Sequence, residues 1–158
     1  IEKPSVGSAV GRLAELRLDR VHPGFAWAMR REEFNACGGL LESMVTGGGA
    51  GLIAAALSGK PLSRGVLARL SPAWLEQLRK YNRRAAEAVR GPLGCVDQTI
   101  THLWHGSREN RRYLERWDYL ARDQFDPDAD LEVTESDEPQ TRNGRAGRRL
   151  LRATPRGR

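Results

Sequence analysis

The stretch Gly24-Phe25-Ala26-Trp27-Ala28-Met29-Arg30 decides how this chain is read. Phe25, Trp27 and Met29 alternate with Ala26, Ala28 and Arg30, so large side chains fall on one face and mostly small ones on the other. Successive side chains of a strand point to opposite faces, and the alternation therefore predicts a buried strand. His22-Pro23-Gly24 breaks the chain just before it. Residues 1–21 form a lead-in whose Leu13, Leu16 and Leu18 fit either a short helix or the approach to a strand. The chain opens at Ile1 rather than Met, so an upstream part is expected to be missing.

Working outward, Arg31 to Cys37 reads as a short helix stopped by Gly38-Gly39. Gly47-Gly48-Gly49 precedes Gly51-Leu52-Ile53-Ala54-Ala55-Ala56-Leu57, a small-residue helix expected to pack tightly and to end at Gly59, with Pro61 beyond. Ser71 to Arg90 is the clearest helix. Ser71 suits its cap and Pro72 its first turn. Leu75, Leu78, Tyr81, Ala85 and Val89 follow helical spacing. Gly91-Pro92 ends it. Leu93 to Leu103 carries Val96, Thr99, Ile100 and Thr101 and predicts a second strand. Ser107 then suits the cap of a helix running to about Arg122, with Tyr113, Trp117 and Leu120 on one face.

Charge divides the chain further. Its 158 residues carry a net charge of +6, with arginine far outnumbering lysine. Residues 126–138 hold seven acidic residues and no basic one, whereas residues 139–158 hold seven arginines and no acidic one. The two blocks cancel and leave the +6 on residues 1–125. Opposed charge blocks with little apolar periodicity predict a disordered tail over residues 132–158. The basic balance raises nucleic acid as a partner, although an electrostatic footprint needs clustering and only the tail clusters. Two cysteines, Cys37 and Cys95, exclude a disulfide scaffold. No apolar run is long enough to span a membrane, and a cytoplasmic location is expected.

Three segments have chemical potential. The glycine run 47–51 opens a helix, where backbone N–H groups can approach an anion; the same pattern suits a tight turn where backbone passes close to backbone. It is not a Walker A loop, because no Gly-Lys-Ser/Thr follows. In Thr101-His102-Leu103-Trp104-His105-Gly106, two imidazoles flank an indole. They suit either one metal ligand beside a substrate contact or a hydrogen-bonded pair bracing a turn. Asp126-Pro127-Asp128-Ala129-Asp130 has the alternation of a metal loop but not the length or register of an EF-hand, and reads better as a solvated turn closing the domain. Cys95 and His102 would lie roughly 23 Å apart along an extended strand, too far for a catalytic pair.

In order, GFAWAMRREEF, Gly38-Gly39-Leu40, the glycine run before an Ala-rich helix, His102-Leu103-Trp104-His105-Gly106, an Arg/Tyr-rich helix and Phe125-Asp126-Pro127 form a set. It resembles the C-terminal half of bacterial and phage glycosyltransferase-like proteins of the GT-A type. It is similar, more distantly, to that half of polypeptide N-acetylgalactosaminyltransferases and β-1,4-galactosyltransferases. The resemblance covers residues 22–131. It implies an α/β fold, a partial GT-A-like nucleotide-diphospho-sugar transferase fold that is helix-rich with few strands.

The resemblance also implies the acceptor-side portion of a metal-dependent glycosyltransferase, weak or inactive as this chain alone. Its partners would be a nucleotide-sugar donor, a glycan or protein acceptor, and an upstream half of the same protein. His102 matches the ligand of Mn²⁺ or Mg²⁺, with His105 second. Trp27, Gly48, Gly49, Trp104 and His105 match the substrate site. The acidic residue expected in the glycine turn falls at Ala50, which leaves Glu42 as the nearest catalytic candidate. The alternative is a small basic module, without catalysis, that binds nucleic acid through the arginine tail and helices 71–90 and 107–122, or that pairs with a protein partner.

Overall fold

The computed structural model describes residues 26–94, 96, 113–133 and 139–141. In chain order these form α1 (Arg31–Cys37), α2 (Gly49–Ser58), α3 (Arg64–Leu67), α4 (Pro72–Ala88), α5 (Tyr113–Arg122) and α6 (Pro127–Asp130), then β1 (Leu131–Val133) and β2 (Pro139–Thr141). The strands pair antiparallel in a two-stranded ribbon, with Leu131 opposite Thr141 and Val133 opposite Pro139. They are the only strands among the described residues. The architecture is therefore helical, and the α/β, GT-A-like expectation is overturned.

The expected strand over residues 24–30 is where that expectation fails. Within its described part, Ala26–Arg30 forms no strand. Trp27 keeps 43% of its surface exposed, and Met29 alone packs partly against the core. Alternation signals a strand only where a neighbour accepts its backbone hydrogen bonds. Here the segment delivers the chain to α1, for which Arg30 is the N-cap in an extended conformation. The second expected strand lies mostly outside the described residues, and Leu93, Gly94 and Val96 are not in a strand. Residues 131–133 and 139–141 form the ribbon at the start of the stretch expected to be a disordered tail.

The helices follow the sequence closely. α1 ends at Gly38, whose φ of 86° is the left-handed conformation that glycine adopts without a Cβ penalty. The Arg84 side chain then donates from Nε to the Cys37 carbonyl at 2.9 Å, satisfying one of the last carbonyls of α1. Tyr81 donates its hydroxyl to the Gly39 carbonyl at 3.1 Å. Both donors belong to α4, which therefore fixes the exit from α1.

α2 is apolar nearly all round, with Gly51, Leu52, Ala54, Ala55, Ala56 and Leu57 buried. A helix of that kind must be enclosed, and its alanines permit close approach to α4. α4 is amphipathic. Trp74, Leu78, Tyr81 and Ala85, spaced four, three and four residues apart, form its buried stripe. Arg79 and Arg83 stand on the exposed side near Glu76, at 3.7 and 3.6 Å. Such exposed pairs contribute little to stability.

Ser71 performs two tasks at the start of α4. Its hydroxyl accepts from the Trp74 amide at 3.2 Å, the expected N-cap, and donates to the Phe125 carbonyl. Both bonds are buried. Ser71→Ala is expected to lose about 1–2 kcal/mol, the upper range for a cap, because the Phe125 carbonyl is orphaned as well. Urea denaturation of the variant checks this. A loss below about 0.5 kcal/mol would mean that water replaces both bonds.

Candidate functional site

The glycine run is where the structure places the most local design. Gly47 and Gly48 both adopt left-handed backbone, with φ of 83° and 87°. Gly48 is the N-cap of α2, and no side chain caps that helix. The Gly51 amide donates to the Gly48 carbonyl at 3.1 Å and closes the first turn.

Two consecutive residues of α5 hold this turn from below. Trp117 donates its indole N–H to the Gly47 carbonyl at 3.0 Å, and Arg116 reaches the Thr46 carbonyl at 3.4 Å. The Trp117 ring also occupies the space beside Gly48. A Cβ built there would lie 2.6 Å from Cζ2 and 3.2 Å from Nε1. The sequence suggested backbone against backbone as the reason for this glycine; the structure gives an indole against backbone. The Thr46 hydroxyl is buried and has no hydrogen-bond partner among the described residues.

Beneath the turn lies an aromatic centre. Trp74 is fully buried and meets Trp117 edge-on, with ring centroids 6.0 Å apart, and Phe125 edge-on at 5.3 Å. Its indole N–H donates to the buried Ser43 hydroxyl at 3.2 Å. The segments 41–49, α4, α5 and 125–127 therefore converge on one residue. Arg69 and Asp118 add a two-oxygen ion pair between the end of the α3 segment and α5, at 2.6 and 2.5 Å. About two-fifths of the Asp118 side chain is exposed, so water screens the pair.

The residues singled out from the sequence are partly assembled here. Gly48 and Gly49 form the turn itself. Glu42 is exposed between buried Leu41 and buried Ser43. Trp27 is exposed on the segment leading into α1. His102, Trp104, His105 and Cys95 lie outside the described residues. Trp74 and Trp117, which organise the turn, were not among the expected site residues. Trp74 heads the stripe of α4, a signal present in the sequence through its spacing from Leu78, Tyr81 and Ala85.

No group of three metal-ligating side chains converges among the described residues. These residues alone thus offer no donor set for Mn²⁺ or Mg²⁺. The aspartates of α6 are engaged locally: Asp126 accepts from the Asp128 amide at 3.0 Å, and Asp130 accepts from the Asp126 amide at 2.9 Å. They cap a single helical turn. Asp128 also accepts from the Gln77 amide group at 2.5 Å, tying α6 to α4. Cys37 is buried, and desolvation, then the Glu33 charge, pushes its thiol upward, only partly offset by Arg84. Burial thus favours the neutral thiol, and Cys37 packs within the core.

No family model, curated protein or solved structure matches the chain. No helix of the described residues is long and apolar enough to cross a membrane.

Proposed function

We propose that the chain is the acceptor-side part of a metal-dependent glycosyltransferase that draws its sugar from a nucleotide-sugar donor in the cytoplasm. It turns over weakly or not at all by itself. The observation that supports this reading is the ordered set of segments resembling such enzymes, three of which are fastened around Trp74 and α4. These are the helix stopped at Gly38-Gly39, the glycine turn before α2, and Phe125-Asp126-Pro127.

On this reading Gly48 and Gly49 present backbone to the substrate. Glu42 is the carboxylate nearest in sequence to the place where Ala50 cannot accept a proton. Trp27, Trp104 and His105 supply further substrate contacts, and His102 is the metal ligand. A divalent metal would neutralise the departing nucleoside diphosphate. The residues that this chain contributes would hold the acceptor and the sugar in place.

Calorimetry with Mn²⁺ and UDP or GDP tests the reading on the full chain. Metal-dependent binding that His102→Ala abolishes is the expected result. Binding unchanged in that variant would remove His102 from the role, and no binding of either nucleotide would overturn the reading.

A second reading, a basic binding module, rests on the outer face of α4, where Arg79, Lys80 and Arg83 are exposed. It requires oligonucleotide affinity that falls steeply with salt. Affinity that ignores salt counts against it.

A further inference from the structure

α4 is charged unevenly along its length. Its first half carries Glu76 and, through Gln77, the bond to Asp128 of α6. From Arg79 onward the exposed charges are mainly cationic. Arg79, Lys80 and Arg83 stand on the outer face, Arg90 is exposed just past the helix end, and Glu87 is the one acid in this stretch. Arg84 is spent on the Cys37 carbonyl.

A single carboxylate gathers two of these cations. Glu76 places one oxygen 3.7 Å from Arg79 and the other 3.6 Å from Arg83. Both separations are too long for a hydrogen bond, so neither guanidinium spends a donor on Glu76. The two arginine side chains are 60% and 63% exposed. Two positive charges against one negative leave the cluster cationic, and Lys80 adds to it.

What the same helix lacks narrows the partner. Its aromatic residues, Trp74 and Tyr81, are buried, so it offers no ring on which the bases of a single strand could stack. No large apolar side chain of α4 is exposed to enter a bilayer. Exposed cations without a stacking platform suit the phosphates of a duplex, which are met without reading sequence. We propose that the outer face of α4 from Arg79 to Arg83 docks the backbone of a nucleic-acid duplex, and that Glu76 attenuates this by competing with the phosphates for both arginines. This rests on the binding-module reading and gives that module a site and a partner.

The test uses the full chain and a labelled duplex of mixed sequence, followed by fluorescence anisotropy between about 50 and 200 mM salt. Glutamine replaces each charged residue, because its helix propensity is close to that of arginine and glutamate. Arg79→Gln combined with Arg83→Gln is expected to weaken binding several-fold and to make the slope of log affinity against log salt shallower by about 2. Arg148→Gln combined with Arg149→Gln, an equal charge change in the basic block of the sequence, should do less. Glu76→Gln should strengthen binding by about two- to fivefold, the scale of exposed ion pairs, and should have no effect once both arginines are replaced.

If the 148/149 pair accounts for the loss and the 79/83 pair is silent, the binding-module reading stands and α4 is not its site. Tighter binding of a single strand of equal length, or of vesicles rich in anionic lipid, overturns the duplex as partner. An equal gain from Glu76→Gln with and without the two arginines overturns the competition at Glu76. A chain that binds no oligonucleotide at any salt overturns the binding-module reading itself.

Discussion

Trp74→Ala is expected to lower the stability of the chain by about 3–5 kcal/mol, the range for truncating a buried aromatic residue to alanine. That is a large fraction of the roughly 5–15 kcal/mol by which a domain is stable, so much of the variant should be unfolded near physiological temperature. The size of the effect follows from what Trp74 touches. The side chain is fully buried. It makes edge contacts with both Trp117 and Phe125, and such aromatic pairs contribute about 0.5–1.5 kcal/mol each beyond the area they bury. Its removal also orphans the Ser43 hydroxyl, which is buried and accepts its N–H. Trp74→Phe keeps most of the ring but loses that bond, and should cost about half as much. Urea denaturation followed by circular dichroism separates the two variants. A loss below about 1 kcal/mol in Trp74→Ala would show that the aromatic centre does not hold the fold together.

Local signals carried the helices well. Ser71-Pro72 marks the start of α4, Gly38 the end of α1 and Gly59 the end of α2, each because the backbone needs that residue type there. What could not be read locally was the role of alternation at 24–30. A period of two reports that two faces differ, not that a neighbouring strand exists, and pairing is a property of the rest of the chain. Only the first member of the α4 stripe differs from the sequence reading, for a related reason. Leu75 and Trp74 are both apolar, and only the three-dimensional arrangement buries Trp74 fully and leaves Leu75 at the margin.

The candidate site divides in the same way. Glycine at 47–49 was visible as a turn before a helix. The indole that requires Gly48 lies 69 residues further on, by the difference between positions 117 and 48, and no local pattern connects them. Likewise the sequence favours a solvated turn over a metal loop at Asp126–Asp130, but it does not show that Asp126 and Asp130 accept from the backbone N–H groups of Asp128 and Asp126.

Gly48→Ala should be the most damaging single-methyl change in the turn, and comparison with Gly47→Ala shows why. The two glycines have nearly the same backbone, with φ of 83° at Gly47 and 87° at Gly48. An L-residue in the left-handed region costs about 1–2 kcal/mol, and both variants incur that cost. They differ in surroundings. A Cβ at Gly47 meets nothing within 4 Å, whereas one at Gly48 would stand 2.6 Å from Trp117 Cζ2. Aromatic carbons cannot approach so closely, so the indole must shift. It can do so only by breaking its bond to the Gly47 carbonyl and pressing on Trp74. Overpacking of that kind adds about 1–3 kcal/mol, which gives a total near 2–5 kcal/mol for Gly48→Ala against about 1–2 kcal/mol for Gly47→Ala. The excess belongs to the Trp117 contact and should therefore be non-additive with a change at that residue. In a Trp117→Phe background the smaller ring makes room, and the Gly48→Ala penalty should fall toward that of Gly47→Ala. Equal penalties for the two alanine variants in the unsubstituted chain would mean that backbone strain alone explains the glycines, and that the indole yields to a methyl group at no cost.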